Sequence, residues 1–270
     1  MLTRERHAVI AERLRADGKV LAADLAGSFA VSEDTIRRDL REMAAAGLCE
    51  RVYGGALARI PAPAPPPLAE RLTIDGARRD ALASAASPFL TDGATIFIDA
   101  GSANAALAAQ LPADRRYTIV THSPAVALAV SPRPQYRVTL LGGRYDAEVG
   151  ACLGCQVLGD VERLRPDILV LGACALDMQA GVTAFDPEDA AIKRRLAKAS
   201  GFILVLATAE KLGTIAPFAI IEAKAVDRLI TEEVADGDSL ATLRESGIAI
   251  TVAATIDSKP AGDIARTGRR

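Results

Sequence analysis

The sequence predicts an α/β chain in two parts: a small helical unit closed by a β-hairpin, followed by a larger doubly wound parallel sheet. Three observations carry that expectation. Five prolines fall within the seven residues Pro61–Pro67, short apolar runs without polar alternation recur after them, and Ala-rich segments of helical length separate those runs. A proline-dense stretch lacks backbone donors and favours extended polyproline II geometry, so it reads as a semi-rigid spacer. Residues 1–58 are therefore taken as the first domain, 59–75 as linker, 76–257 as the second domain and 258–270 as a flexible tail.

In the second domain the runs Thr95–Ile98, Tyr117–Val120, Val138–Leu141, Ile168–Leu171 and Phe202–Leu206 suit strands covered on both faces. Helices are expected at Asn104–Leu111, Pro124–Val130 and Glu188–Ala199. Strand–helix alternation implies parallel strands with right-handed crossovers. The runs Arg228–Thr231 and Ile248–Val252 complete the sheet.

The 270 residues are half hydrophobic, enough for two cores of ordinary size. No apolar run of about 18 residues appears and the N-terminus lacks a hydrophobic leader core, so a cytoplasmic protein with no membrane partner is expected. Cys49, Cys152, Cys155 and Cys174 are too few and too irregular for a disulfide framework. Cys152 and Cys155 form a C-x-x-C, but a zinc site wants a second ligand pair and only His7 and His122 are at hand. No metal, cofactor or catalytic residue is expected. The formal charge is −2, and residues 1–60 hold ten Lys+Arg against nine Asp+Glu. That near-neutral balance argues against a nonspecific, nucleoid-type DNA coat, which depends on many phosphate contacts.

In the first domain, Ser32 before Glu33-Asp34 is a helix N-cap followed by acidic residues that suit the helix dipole. At 100° per residue Ile36, Leu40 and Met43 share one face, while Asp34, Arg37, Arg38 and Arg41 lie on the other. Gly47-Leu48 matches a left-handed C-cap with a hydrophobic contact. Leu25 and Phe29 mark a shorter preceding helix, Ala30-Val31 leaves room only for a tight turn, and the segment around Val9, Ile10 and Leu14 supplies the first helix. Cys49–Ala56 reads as a strand, a glycine turn and a return. This is a winged helix-turn-helix. An isolated Arg-Arg pair ordinarily solvates a helix; cap, turn, apolar face and wing together point to groove contact with double-stranded DNA. The candidate DNA-binding residues are Ser32, Asp34, Thr35, Arg37, Arg38 and Arg41, with Arg51, Tyr53, Gly54 and Gly55 of the wing.

The stretch Arg6–Ala56, above all Val31-Ser32-Glu33-Asp34-Thr35-Ile36-Arg37-Arg38-Asp39-Leu40 and Arg51-Val52-Tyr53-Gly54-Gly55-Ala56, resembles the DeoR/GlpR family of bacterial regulators. The resemblance implies sequence-specific operator binding, usually repression of sugar or polyol genes, by dimers or higher homo-oligomers. Recognition helices held by sensor-domain association would then sit about 34 Å apart or a multiple of it.

Open parallel sheets bind ligands where strand ends lead into helix N-termini. Asp99, Gly101 and Ser102 follow one strand, Thr121, His122 and Ser123 the next, Gly142 and Gly143 a third, and Gly172 a fourth. Lys193, Arg194 and Lys211 are candidate counter-charges, although Lys193 and Arg194 also fit a solvated helix face. Glycines, hydroxyls and cations together suit a phosphorylated sugar or polyol as effector. Over roughly Leu82–Glu232 the family resemblance implies a fold like that of ribose-5-phosphate isomerase. It also implies loops of the type D-x-G-[ST]-T, T-N-S, L-G-G and D-[ST]-[ST]-K. Ala103, His122 and Ala207 depart from that pattern, removing a hydroxyl, an amide and a carboxylate. An isomerase-like enzyme using Asp99 or Asp177 as base beside Lys193 or Lys211 is the alternative reading.

Overall fold

The computed structural model describes residues 2–233, 240, 243–244 and 247–254. The tail expected at 258–270 lies outside the described residues. The chain divides into two compact units, residues 1–62 with 213–215, and residues 63–212 with 216 onward. Among the described residues no helix is long and apolar enough to cross a membrane.

The first unit runs α1 (Thr3–Asp17), β1 (Lys19–Leu21), α2 (Ala22–Phe29), α3 (Glu33–Ala45), β2 (Cys49–Val52), β3 (Gly55–Ala58) and β4 (Ile60–Pro61). Ile10, Leu14, Leu25, Ile36, Leu40, Met43 and Cys49 close its core. The expected hairpin is β2–β3, but β1 adds a third strand antiparallel to β3. A three-residue strand is too short to leave a periodic signal. Helix α3 ends as expected at Gly47, where Leu48 N–H bonds Met43 O and Gly47 N–H bonds Ala44 O. Leu48 itself is 54% exposed, so the anticipated hydrophobic contact is not buried.

The second unit begins with a single helical turn, α4 (Leu68–Arg71), inside the segment expected to be linker, then α5 (Gly76–Ala86). The remaining elements are β5 (Thr95–Ile98), α6 (Ser102–Gln110), β6 (Thr118–Thr121), α7 (Pro124–Val130), β7 (Arg137–Leu140), β8 (Arg144–Asp146), β9 (Ala151–Leu153) and α8 (Cys155–Val161). They continue as β10 (Ile168–Gly172), β11 (Ala175–Asp177), β12 (Gly181–Ala184), α9 (Pro187–Ala199), β13 (Phe202–Leu206), β15 (Phe218–Ile221), β16 (Arg228–Thr231) and β17 (Ala249–Val252), while β14 (Thr214–Ile215) belongs to the first unit, where it pairs in parallel with β4.

Seven strands form one sheet in the order β17-β16-β13-β10-β5-β6-β7, parallel throughout. Ile96, Ile98, Val170 and Leu204 face the core built with α5, α6 and α7, while Phe97, Leu169, Leu171 and Val205 face that of α8 and α9. Helices on both faces explain why these runs do not alternate in polarity. The exception is β7: all four residues are exposed, because it is the sheet edge rather than a strand covered on both faces. Two short antiparallel pieces were not anticipated, the hairpin β8–β9 and the sheet β11-β12-β15. Strand order reverses between β5 and β10, and the loops following these strands therefore diverge. Such a switch point opens a crevice at the carboxyl ends of the strands.

Candidate DNA interface and ligand cavity

In the first unit Ser32 Oγ accepts the Thr35 N–H at 3.2 Å and meets Thr35 Oγ1 at 2.9 Å, so both serve the start of α3. Asp34, Arg37, Arg38 and Arg41 are exposed and Ile36, Leu40 and Met43 buried. Arg37 pairs with Glu33 at 2.5 Å and Arg38 with Glu42 at 3.2 Å, both one turn away and in solvent. Exposed pairs of this kind contribute about 0.3–0.5 kcal/mol and release readily for another partner. Arg51 is exposed and Tyr53 stands fully out at the wing tip with Gly54. Gly55, read above as part of the DNA surface, is instead buried: a Cβ there would stand 2.0 Å from the Val20 carbonyl oxygen.

The sequence reading missed Asp39. It shares the buried face of α3 and receives Arg6 in two contacts, Nε at 2.7 Å and Nη2 at 2.9 Å, with His7 Nε2 at 3.3 Å. Burial opposes the charged carboxylate, yet Arg6 outweighs it and holds Asp39 below its ordinary range. This pair fixes α1 against α3 and so aims the outer face of α3.

In the second unit a cavity of about 310 Å3 opens beside the ends of β5 and β10, within the size range of small-molecule sites. Gly101, Ser102 and Ala103 line it at the start of α6, with Gly172 at the end of β10 and Ala173 just beyond it. Arg71, Lys193 and Lys211 bring positive charge, while Asp146, Glu148, Asp186 and Asp189 bring negative. Val149, Phe185 and Leu206 supply apolar wall. Of the paired basic residues on α9, Lys193 is buried and Arg194 is exposed, bonded to the Ala219 carbonyl.

Asp99 lies beneath this cavity rather than in its wall. Its carboxylate is fully buried and takes four donors: Ala100 N–H at 2.7 Å and His122 Nε2 at 2.8 Å on Oδ1, Gly172 N–H at 2.8 Å and Lys193 Nζ at 3.3 Å on Oδ2. Burial disfavours its charge, but Lys193, then His122 and Gly172, hold it below the ordinary range. No acceptor capacity is left for a sugar hydroxyl. Gly172 must be glycine on steric grounds, since a Cβ there would meet Ala100 O at 2.3 Å and Asp99 Oδ2 at 2.9 Å. His122 is fully buried, with Nδ1 3.0 Å from the Cys152 carbonyl oxygen. Thr121 bonds Ile98 O and Ser123 bonds Gly150 O, both buried. Gly142 and Gly143 are exposed and lie outside the cavity wall. Of the expected effector residues, then, Gly101, Ser102, Gly172, Lys193 and Lys211 come together, and Asp99 with the Thr121–Ser123 loop supports them from below.

Asp189 was not singled out, though its i,i+4 spacing to Lys193 was readable. Its Oδ2 pairs with Lys193 at 2.7 Å, and its buried Oδ1 has no partner. Burial and neighbouring Asp99 push the Asp189 carboxyl upward despite Lys193. Lys193 is held protonated, because Asp189 and Asp99 outweigh the cost of its burial. Burial lowers Lys211, helped by Arg71 nearby. Asp99, His122 and Asp189 offer ligand atoms within 4.8 Å of one another, but the Lys193 ammonium already stands against both carboxylates.

A helix-turn-helix with an outward basic face, on a chain that also carries a charged cavity at the switch point of a parallel sheet, defines a ligand-responsive DNA-binding regulator. Residues 6–60 match the family described as DeoR-like helix-turn-helix domain, and residues 75–233 that described as DeoR C terminal sensor domain. The chain belongs to the DeoR family of transcriptional regulators. It is 30% identical to the HTH-type transcriptional regulator GlpR of Haloferax volcanii over 93% of this chain and 98% of that protein. It is 28% identical to the glycerol-3-phosphate regulon repressor of Escherichia coli K12, over 84% of this chain and 90% of that one. Among solved structures, ribose 5 phosphate isomerase A of Neisseria gonorrhoeae aligns with 53% of this chain and 56% of its own at 14% identity, with a TM-score of 0.39.

Proposed function

We infer that this regulator is a repressor of sugar or polyol metabolism genes whose affinity for operator DNA is set by a phosphorylated sugar or polyol bound in the cavity of the second unit. The observation that carries the reading is the pairing, in one cavity, of Arg71, Lys193 and Lys211 with the unpartnered Oδ1 of Asp189. Cations and the N–H groups at the start of α6 suit a phosphate. A buried carboxylate oxygen without a donor suits a hydroxyl, which can provide one. The regulon names of the relatives, glycerol 3-phosphate among them, agree with that chemistry. In this reading residues 1–58 bind DNA, 59–75 link, and 76–257 sense the effector as part of a cytoplasmic homo-oligomer.

The reading is of a binding protein, not an enzyme. Asp99 has its lone pairs occupied, and Asp177, the other candidate base, accepts the N–H groups of Gln179 and Ala180 in a turn. Neither lines the cavity, so neither stands where it could take a proton from the carbon of a substrate bound there. The test is a thermal-shift screen of sugar and polyol phosphates, glycerol 3-phosphate included, followed by DNA mobility and by assay for interconversion of pentose or hexose phosphates. Stabilisation with altered DNA mobility and no turnover is expected. Turnover, or no stabilisation by any phosphate ester, would overturn the reading.

A further inference from the structure

Arg71 lies between the two family-matched segments, on the helical turn α4 of the proline-rich stretch, and none of the sequence patterns singles it out. Its Nε–H donates to Pro66 O at 2.9 Å, and its Nη2 donates to Glu148 O at 3.0 Å and Val149 O at 3.2 Å. All three acceptors are neutral carbonyls. Among the described residues no carboxylate forms an ion pair with Arg71, and Nη1 has no hydrogen-bond partner. Burial accordingly pushes the guanidinium below its ordinary value. The side chain is thus a partly desolvated cation held in one orientation by three carbonyls, with one edge left over at the cavity it lines. Orientation without a counter-ion is the arrangement that favours an arriving anion, since the ordering cost of a long side chain is already met.

The same turn is seated on the β8–β9 hairpin. Leu68 N–H bonds Ala147 O at 3.3 Å and the Leu68 side chain is 2% exposed. Its fit is so close that a Cβ on Gly150 would fall 2.0 Å from Leu68 Cδ2. Residues 147–150 therefore carry the proline-rich segment on one side while Glu148 and Val149 line the cavity on the other. Arg71 crosses between them.

Building on the effector reading above, we propose that Arg71 receives the effector's phosphate on its Nη1 edge and, once paired with it, clamps the proline-rich segment to the β8–β9 hairpin. The ligand class is then a phosphate monoester whose phosphate lies near the hairpin side of the cavity and whose hydroxyls reach toward Asp189. Binding strengthens a link that already exists, so residues 66–72 become more rigid when the cavity fills.

The experiment uses the full chain with glycerol 3-phosphate and fructose 6-phosphate, beside free glycerol, fructose and inorganic phosphate. Calorimetry on the unaltered protein, Arg71→Gln and Arg71→Lys is paired with amide hydrogen exchange of residues 66–72, with circular dichroism as the check of folding. Arg71→Gln should weaken binding of the better ester by about tenfold or more, the range for a hydrogen bond to a charged group, and Arg71→Lys by less. In the unaltered protein that ester should slow exchange at the Leu68 amide several-fold. A folded Arg71→Gln that binds the ester with undiminished affinity, or an unaltered protein whose Leu68 amide ignores bound ester, overturns the clamp alone. Absence of binding of every phosphate ester by the unaltered protein overturns the effector reading and the clamp together. The exchange measurement on the unaltered protein decides the matter even where a variant does not fold.

Discussion

Asp189 gives one carboxylate oxygen to Lys193 at 2.7 Å and keeps the other, buried, without a partner. An unsatisfied buried acceptor costs about 1–3 kcal/mol, a cost that a ligand hydroxyl would remove. Asp189→Asn, which keeps the shape and removes the charge, should lower calorimetric affinity for a hydroxyl-bearing phosphate ester by about tenfold or more. It should leave inorganic phosphate nearly unaffected. Because burial and Asp99 raise the Asp189 carboxyl above its ordinary 3.8, ester affinity should fall on acidification at a higher pH than an exposed carboxylate would produce.

Lys193 neutralises two buried carboxylates, and removing it leaves both uncompensated. Lys193→Met should destabilise the second unit by about 3–5 kcal/mol in denaturant titration. Its folded pKa is raised above the ordinary 10.5, so its contribution is fully present below that value and is lost as pH rises through the folded one. The stability difference between the unaltered protein and Lys193→Met should accordingly shrink only in strong alkali.

The Arg6–Asp39 pair predicts the opposite pH sense. Asp39 is held below its ordinary 3.8, burial being outweighed by Arg6, so its stabilisation is present above that pH and is lost as pH falls through the folded value. Asp39→Asn should cost about 3–5 kcal/mol near neutrality and progressively less below pH about 4. Chemical denaturation of both proteins at the two pH values measures this.

Arg38→Ala should leave the unfolding midpoint within about 0.5 kcal/mol of the parent, as the Arg38–Glu42 pair is exposed. Its expected effect is on DNA: a loss of about 1–3 kcal/mol in discrimination between a selected duplex and a scrambled one, read by competition mobility shift.

Much of this architecture was legible because its strongest signals are local. Ser32 announces its helix through one hydroxyl, and runs such as Phe202–Leu206 announce a sheet covered on both faces through the absence of alternation. What escaped depends on contacts between distant residues. Asp39 looks like an exposed helix acid until Arg6, 33 residues away, is placed beside it. Asp99 reads as a sugar ligand until its four donors are counted. Arg71 carries no motif, and only the packing of Leu68 against Gly150 brings it to the cavity. The loop Thr121–Ser123 was right in its strand-end location and differs in depth, since β6 delivers it under the cavity rather than into it.

The central claim is that one chain couples a small anionic ligand in the cavity to affinity for DNA. Its most direct test is the dissociation constant for a duplex selected by the protein from a random pool, measured with and without a saturating phosphate ester chosen by thermal shift. A change of about tenfold, equivalent to a coupling of about 1.4 kcal/mol, is expected, with a reciprocal change in ester affinity when DNA is bound. Identical DNA affinity with the cavity empty and filled would contradict the account.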